Sequence, residues 1–248
     1  MKLKRLLVSC VAVAMTVSLV PAVVFASAND ESENTAVIEV ADAKEADVVA
    51  KLDSPSSLSG TCGKNLRYDI DSSTGVMTIS GSGTMSNFKA NKAPWNDHKD
   101  KITAIKFSGK ITSIGNYAFK GLTKVTSIAI PGYVKTIGEG AFYGCTGLKK
   151  VTGGKSVTQI KSAAFKSCTS LTTFSLTSTK LSKIGSYAFK GAALKTLKIT
   201  KTTKLTRKGV KKSLKGSKIK TVDVKNSKKL TYTYYFLKGN SGKGVKVK

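Results

Sequence analysis

The residues of this 248-residue chain that are able to do chemistry fall into a few small groups, and most are spaced wrongly for it. Asp97, His98 and Asp100 follow Trp95 and bring two carboxylates close to an imidazole, the raw material of acid/base or metal chemistry. His98 is the only histidine in the chain, which disfavours His-based metal sites and Ser-His-Asp catalysis. Asp97 reads instead as a turn residue. Asp69 and Asp71 lie two apart on one strand face, as a carboxylate pair requires, but on an exposed hairpin such acids are simply solvated. Cys62, Cys145 and Cys168 offer no C-x-x-C pair and no second histidine, so zinc is disfavoured. Cys145 and Cys168 occur 23 residues apart and read as small buried filler, pointing alike rather than towards each other. Gly81-x-Gly83 is a turn signal without the spacing of a nucleotide loop. We expect no catalytic residue, no cofactor and no metal, hence a protein that is not an enzyme.

Charge is the feature that rises above this background. The chain carries 42 Lys+Arg against 14 Asp+Glu, a formal net charge of +28. From Gly140 to Lys248 there are 26 basic residues and one acid, Asp223. After Asp53 only Arg67 and Arg207 are arginines, while lysine supplies the other 35 of 37 bases. Lysine is a hydrated point charge without arginine's bidentate fork, so it suits loose attraction to polyanions better than base-specific readout. Lys120, Lys166, Lys190 and Lys215 recur directly after a phenylalanine or its equivalent, with Tyr143 in the same place once. Lys150, Thr152, Thr173, Ser175, Thr196 and Lys198 alternate with apolar residues, as do Ser127, Ala129, Thr221 and Asp223. These two sets of positions are the candidate ligand-binding residues. Solubility is the competing explanation of the charge.

Such side chains form a surface only if something places them in rows, and the chain is periodic. Ala118-Phe119, Ala141-Phe142, Ala164-Phe165 and Ala188-Phe189 recur at Phe spacings of 23, 23 and 24, with 25 more to the degenerate Ser213-Leu214. Before each stands a short apolar pair: Ile111-x-x-Ile114, Val134-x-x-Ile137, Val157-x-x-Ile160, Leu181-x-x-Ile184. After each comes a second: Val125-x-x-Ile128-x-Ile130, Leu148-x-x-Val151, Leu171-x-x-Phe174-x-Leu176, Leu194-x-x-Leu197-x-Ile199, Ile219-x-x-Val222-x-Val224. A copy of about two dozen residues cannot bury its apolar positions alone, so five copies imply a stacked solenoid. The second motif points its apolar residues inward along a short strand, parallel to its neighbour about 4.8 Å away. The segments around Ala-Phe are too short for full helices and should be turns or single helical turns. Gly115, Gly138 and Gly185 follow the first pair, where a sharp bend is expected to need φ > 0.

The flanks differ in composition. Residues 1–28 hold Lys2, Lys4 and Arg5, an apolar run and the small-residue end Ala26-Ser27-Ala28, which together read as a secretory signal peptide. No membrane anchor is expected after its removal. Residues 29–57 hold eight acids against two lysines and read as an acidic flexible tether. The N-terminal cap is placed at 58–110, with a β-hairpin over Leu66–Ile79. Repeats occupy 111–225 and a C-terminal cap 226–248, where Tyr232, Tyr234, Tyr235 and Phe236 are expected to pack.

The repeat V-x-x-I-G-x-x-A-F-x-G-C-x-x-L-x-x-V, at full strength from Val134 to Val151, resembles the BspA-type leucine-rich repeat. Cys62-Gly63-x-x-Leu66, Ile79-Ser80-Gly81-x-Gly83-x-Met85 and Ala93-Pro94-Trp95 are similar to that family's N-terminal cap. The resemblance implies a mostly β leucine-rich-repeat solenoid, secreted or displayed on a bacterial surface, often linked to adhesion, with no shared catalytic residues. The sequence departs from the pattern at Leu205-Thr206-Arg207-Lys208-Gly209, where Lys208 falls near an apolar position. The expected function is a secreted, monomeric, noncatalytic binding or adhesion module, released or held noncovalently at the cell surface. Its expected partners are teichoic acid, sulfated or acidic glycans, or host and neighbouring-cell surface proteins, with nucleic acid bound only nonspecifically. A protein-specific receptor or a structural spacer is the alternative.

Overall fold

Alternation of apolar and polar residues at period two, broken by glycine-rich turns, builds two sheets, one mixed and one parallel, from one winding chain. The structure, a computed structural model, describes residues 57–200, 205–206, 208–225 and 246–247. All lie in the second of the chain's two units, Lys51–Lys248. The signal segment, the acidic tether up to residue 56 and residues 226–245, with the aromatic run from Tyr232 to Phe236, lie outside the described residues.

The first sheet runs β1 (Ser57–Gly63), β2 (Leu66–Asp71), β3 (Val76–Thr84), β4 (Ala104–Ile114), β6 (Thr136–Ile137), β8 (Gln159–Ile160) and β10 (Lys183–Ile184), in that spatial order. The second runs β5 (Ser127–Ile130), β7 (Lys150–Gly153), β9 (Thr173–Leu176), β11 (Thr196–Thr200), β12 (Thr221–Lys225) and β13 (Lys246–Val247). Strands β1 to β3 pair antiparallel, and from β3 onward every pairing is parallel. The second apolar motif of each copy forms the longer strand, as expected. The first motif also forms a strand, two residues long, so most coils contribute to both sheets. Turns link them, and among the described residues the helical segments are 3-10 turns at Asn96–His98 and Lys208–Val210.

Between the sheets the phenylalanines stack in a column. Phe119, Phe142, Phe165 and Phe189 are fully buried, with successive ring centroids 5.3, 5.2 and 5.7 Å apart and near-parallel planes. Trp95 opens the column, stacked 5.8 Å from Phe119, and its indole N–H donates to Ala118 O at 2.8 Å. Ile102, Ile105 and Phe107 repeat the second motif's spacing just after it. An additional coil therefore precedes the five read from the sequence. It went unseen because Trp replaces Phe and its second motif runs on into the first motif of the next coil as the single long strand β4.

The glycines correct one expectation. Gly115, Gly138 and Gly185 do not adopt φ > 0; what demands glycine there is the close approach of successive coils. A Cβ on Gly138 would sit 2.5 Å from the carbonyl carbon of Gly115, and one on Gly185 would sit 2.6 Å from that of Lys161. Left-handed backbone falls instead two residues before and two after each of the four phenylalanines and Leu214. The later position is Gly121, Gly144, Ser167, Gly191 and Gly216, with φ between 61° and 76°.

Candidate functional site

On the outer face of the second sheet, register turns alternation into rows. Ser127 pairs with Lys150 and Lys150 with Thr173. Ala129, Thr152, Ser175, Lys198 and Asp223 form the adjacent row across five strands. Their apolar neighbours Ile128, Val151, Phe174, Leu197 and Val222 are buried. Lys150, Thr173 and Lys198 are exposed, while Thr152, Ser175, Thr196 and Asp223 are half-buried. Thus Lys150, Thr152, Thr173, Ser175, Thr196 and Lys198 lie on one face. Asp223 flanks Lys198 as its register partner on β12 and supplies the row's one counter-charge.

This face is not flat. Strands β7 and β9 pair over four residues, whereas β9 and β11 pair only at Ser175–Lys198 and Leu176–Ile199. The cause is visible in the spacing: Phe142 to Val151 and Phe165 to Phe174 are nine residues each, but Phe189 to Leu197 is eight. The shortened turn around Ala192 prevents β11 from closing fully on β9. A hollow of about 340 Å³ opens there, lined by Thr172, Thr173, Phe174, Ser175, Thr196 and Lys198.

The lysines that follow the phenylalanines occupy a different part of each coil. Tyr143 stands between Lys120 and Lys166, whose ammonium groups lie 5.6 and 5.2 Å from its ring centroid. Lys120 also donates to Asn91 Oδ1 at 2.9 Å. Lys190 sits 5.7 Å from the Tyr187 ring, and Lys215 is exposed. A tyrosine face between two ammonium groups offsets part of their repulsion, each contact contributing roughly 0.5–1 kcal/mol at an exposed site.

Elsewhere the candidate chemistry is structural. Asp97 lies in the 3-10 turn, where Asn96 Nδ2 donates to its Oδ1 at 3.3 Å. Asp71 Oδ1 accepts from the Ser73 amide and hydroxyl and from the Thr74 amide, which holds its carboxyl down at about 2. The Cys145 and Cys168 thiols donate to the carbonyls of Phe119 and Phe142 at 3.0 and 3.1 Å, each reaching back to the preceding coil. Among the described residues no three His, Cys, Asp or Glu side chains gather as a metal site. No helix among them is long and apolar enough to cross a membrane.

The sequence reading overlooked a second, larger hollow of about 510 Å³ beside β10. It is lined by Gln159, Ser162, Ser182, Lys183, Ile184, Gly185, Ser186, Thr206, Lys208, Gly209 and Lys211. Its one signal in the sequence is Lys208. In the four preceding coils the equivalent residue is Ile114, Ile137, Ile160 or Ile184, all buried. Lysine cannot be buried there without a partner; Lys208 is exposed and Val210 takes the interior position.

Residues 97–215 match the family model described as the BspA type leucine rich repeat region, in six copies. Among solved structures the chain is similar to a leucine-rich repeat protein from Eubacterium ventriosum ATCC 27560, at 24% identity and a TM-score of 0.57. That likeness covers 71% of this chain and 46% of the other, so the chain spans less than half of that protein's length. A Treponema pallidum leucine rich repeat protein matches at 18% identity and a TM-score of 0.40, covering 66% of this chain and 70% of that one. One from Bacteroides ovatus ATCC 8483 matches at 23% identity and a TM-score of 0.38, covering 65% and 46%. Nothing matches among curated proteins.

Proposed function

Taking the chain as a BspA-type leucine-rich-repeat protein, we propose that it is a noncatalytic surface-binding module that captures anionic polymers outside the cell. The observation that carries the reading is the outer face of the second sheet, where hydroxyls and lysines stand in register from β5 to β11 and the first carboxylate is Asp223. Teichoic acid or a sulfated or acidic glycan laid along that face meets ammonium groups for attraction and hydroxyls for short-range hydrogen bonds. The 26 bases against one acid from Gly140 onward add the long-range field that steers such a polymer in. In this reading the segment 1–28 directs export, the antiparallel strands β1–β3 cap the first coil, and the product is released or retained noncovalently at the surface.

The test is retention of the chain on immobilised heparin and on teichoic acid as NaCl rises. Binding that rests on displaced counterions should weaken at least tenfold between 50 and 200 mM salt. Affinity that ignores salt overturns the reading and points to a protein-specific partner.

A further inference from the structure

The hollow beside β10 is a second feature of different character. Strand β10 is the last strand of the first sheet, because the next coil, starting at the exposed Lys208, forms a 3-10 turn over Lys208–Val210 in place of a strand. The ladder stops there, and a hollow of about 510 Å³ opens beside Ile184. That volume is within the range of about 300–1,000 Å³ usual for small-ligand sites. Three of its lining residues are lysines, Lys183, Lys208 and Lys211, and none is acidic.

The neutral groups add a second requirement. Ser182 Oγ donates to Thr158 O at 3.0 Å and Ser186 Oγ to Lys211 O at 3.3 Å, so each hydroxyl proton is committed and each oxygen still accepts. Thr206 Oγ1 accepts from the Gly209 amide at 3.0 Å and retains its proton to donate. Gln159 both donates and accepts. A bare inorganic ion would satisfy the lysines and leave these groups and most of the volume unused. A sugar ring, with hydroxyls that both donate and accept, uses them. Three lysines lining one hollow can each take a terminal oxygen of a sulfate or phosphate ester, which offers three, where a carboxylate offers two.

We propose that this hollow binds a single hexose unit carrying a sulfate or phosphate ester, with Lys183, Lys208 and Lys211 around the ester and Ser182, Ser186 and Thr206 on the ring hydroxyls. It deepens the polymer-binding reading by naming the unit recognised, and it rests on that reading only for its biological setting. It is a site distinct from the strand face, which belongs to the second sheet.

Isothermal titration and amide NMR of the full chain with glucose 6-sulfate, glucose 6-phosphate, glucuronate and glucose test it. Saturable one-to-one binding of a 6-ester is expected, with shifts at 182–186 and 206–211, and affinity at least tenfold above that for glucose and glucuronate. The sulfate and phosphate arms identify which ester is preferred. Lys208→Ala should weaken that binding at least fivefold, and Ser186→Ala should also weaken it, while Lys150→Ala with Lys198→Ala should leave it unchanged and reduce heparin retention instead. Equal response to all four sugars, or shifts confined to the strand face, overturns the site. Failure of the unsubstituted chain to be retained on heparin, with its ester binding intact, overturns the polymer reading alone.

Discussion

Cys145 and Cys168 show how completely a repeat position can silence a reactive group. Burial pushes the Cys145 thiol up to about 12 and raises Cys168 well above its usual range, the latter with a smaller contribution from Cys145. In the cap region burial raises Cys62 to about 11. The thiolate is the nucleophile, so at pH 8 its population is far smaller in the folded protein than in an unfolded chain, where thiols titrate near 8.5. A disulfide reagent should therefore modify these three cysteines at least a hundredfold more slowly in buffer at pH 8 than in guanidinium. Modification of two or more at the unfolded rate would show that the coils open readily. Lys208 makes the complementary point: where the pattern wants isoleucine, the charged residue is exposed and the coil's first strand gives way to a 3-10 turn.

At the scale of elements, the ring column does the packing and the strands set the register. Phe142 lies between Phe119 and Phe165 at 5.3 and 5.2 Å, so removing it leaves a void bounded by rings that the fixed coil spacing cannot close. Phe142→Ala should cost about 3–5 kcal/mol in a urea titration; a loss below 1 kcal/mol would mean that the coils are not packed as a continuous stack. This layer of organisation was readable from sequence, because spacing alone dictates which side chains share a column. The first-motif strands were not anticipated, since two residues are too short to show alternation. The coil holding Trp95, Ile102 and Phe107 was hidden by a changed aromatic. The hollows at β9–β11 and beside β10 were hidden for another reason: each arises where the repeat fails, by a shortened turn around Ala192 or by Lys208. A pattern read for its regularity gives little warning of what opens where it breaks.

For the described unit as a whole, parallel stacking converts a compositional bias into geometry. Lysines about two dozen residues apart in sequence, such as Lys166 and Lys190, come to lie on successive coils, which repeat about every 4.8 Å. Repulsion between any exposed pair is of the order of 1 kcal/mol before screening. Tyr143 between Lys120 and Lys166, and Asp223 beside Lys198, relieve it locally. The surplus elsewhere favours a bound polyanion. The most direct measurement is lysine ε-carbon NMR of the chain titrated with a sulfated oligosaccharide. Lys150 and Lys198 should shift and saturate together, with Lys64 unmoved. Uniform small shifts across all lysines, or none at Lys150 and Lys198, would contradict a binding face built by the second sheet.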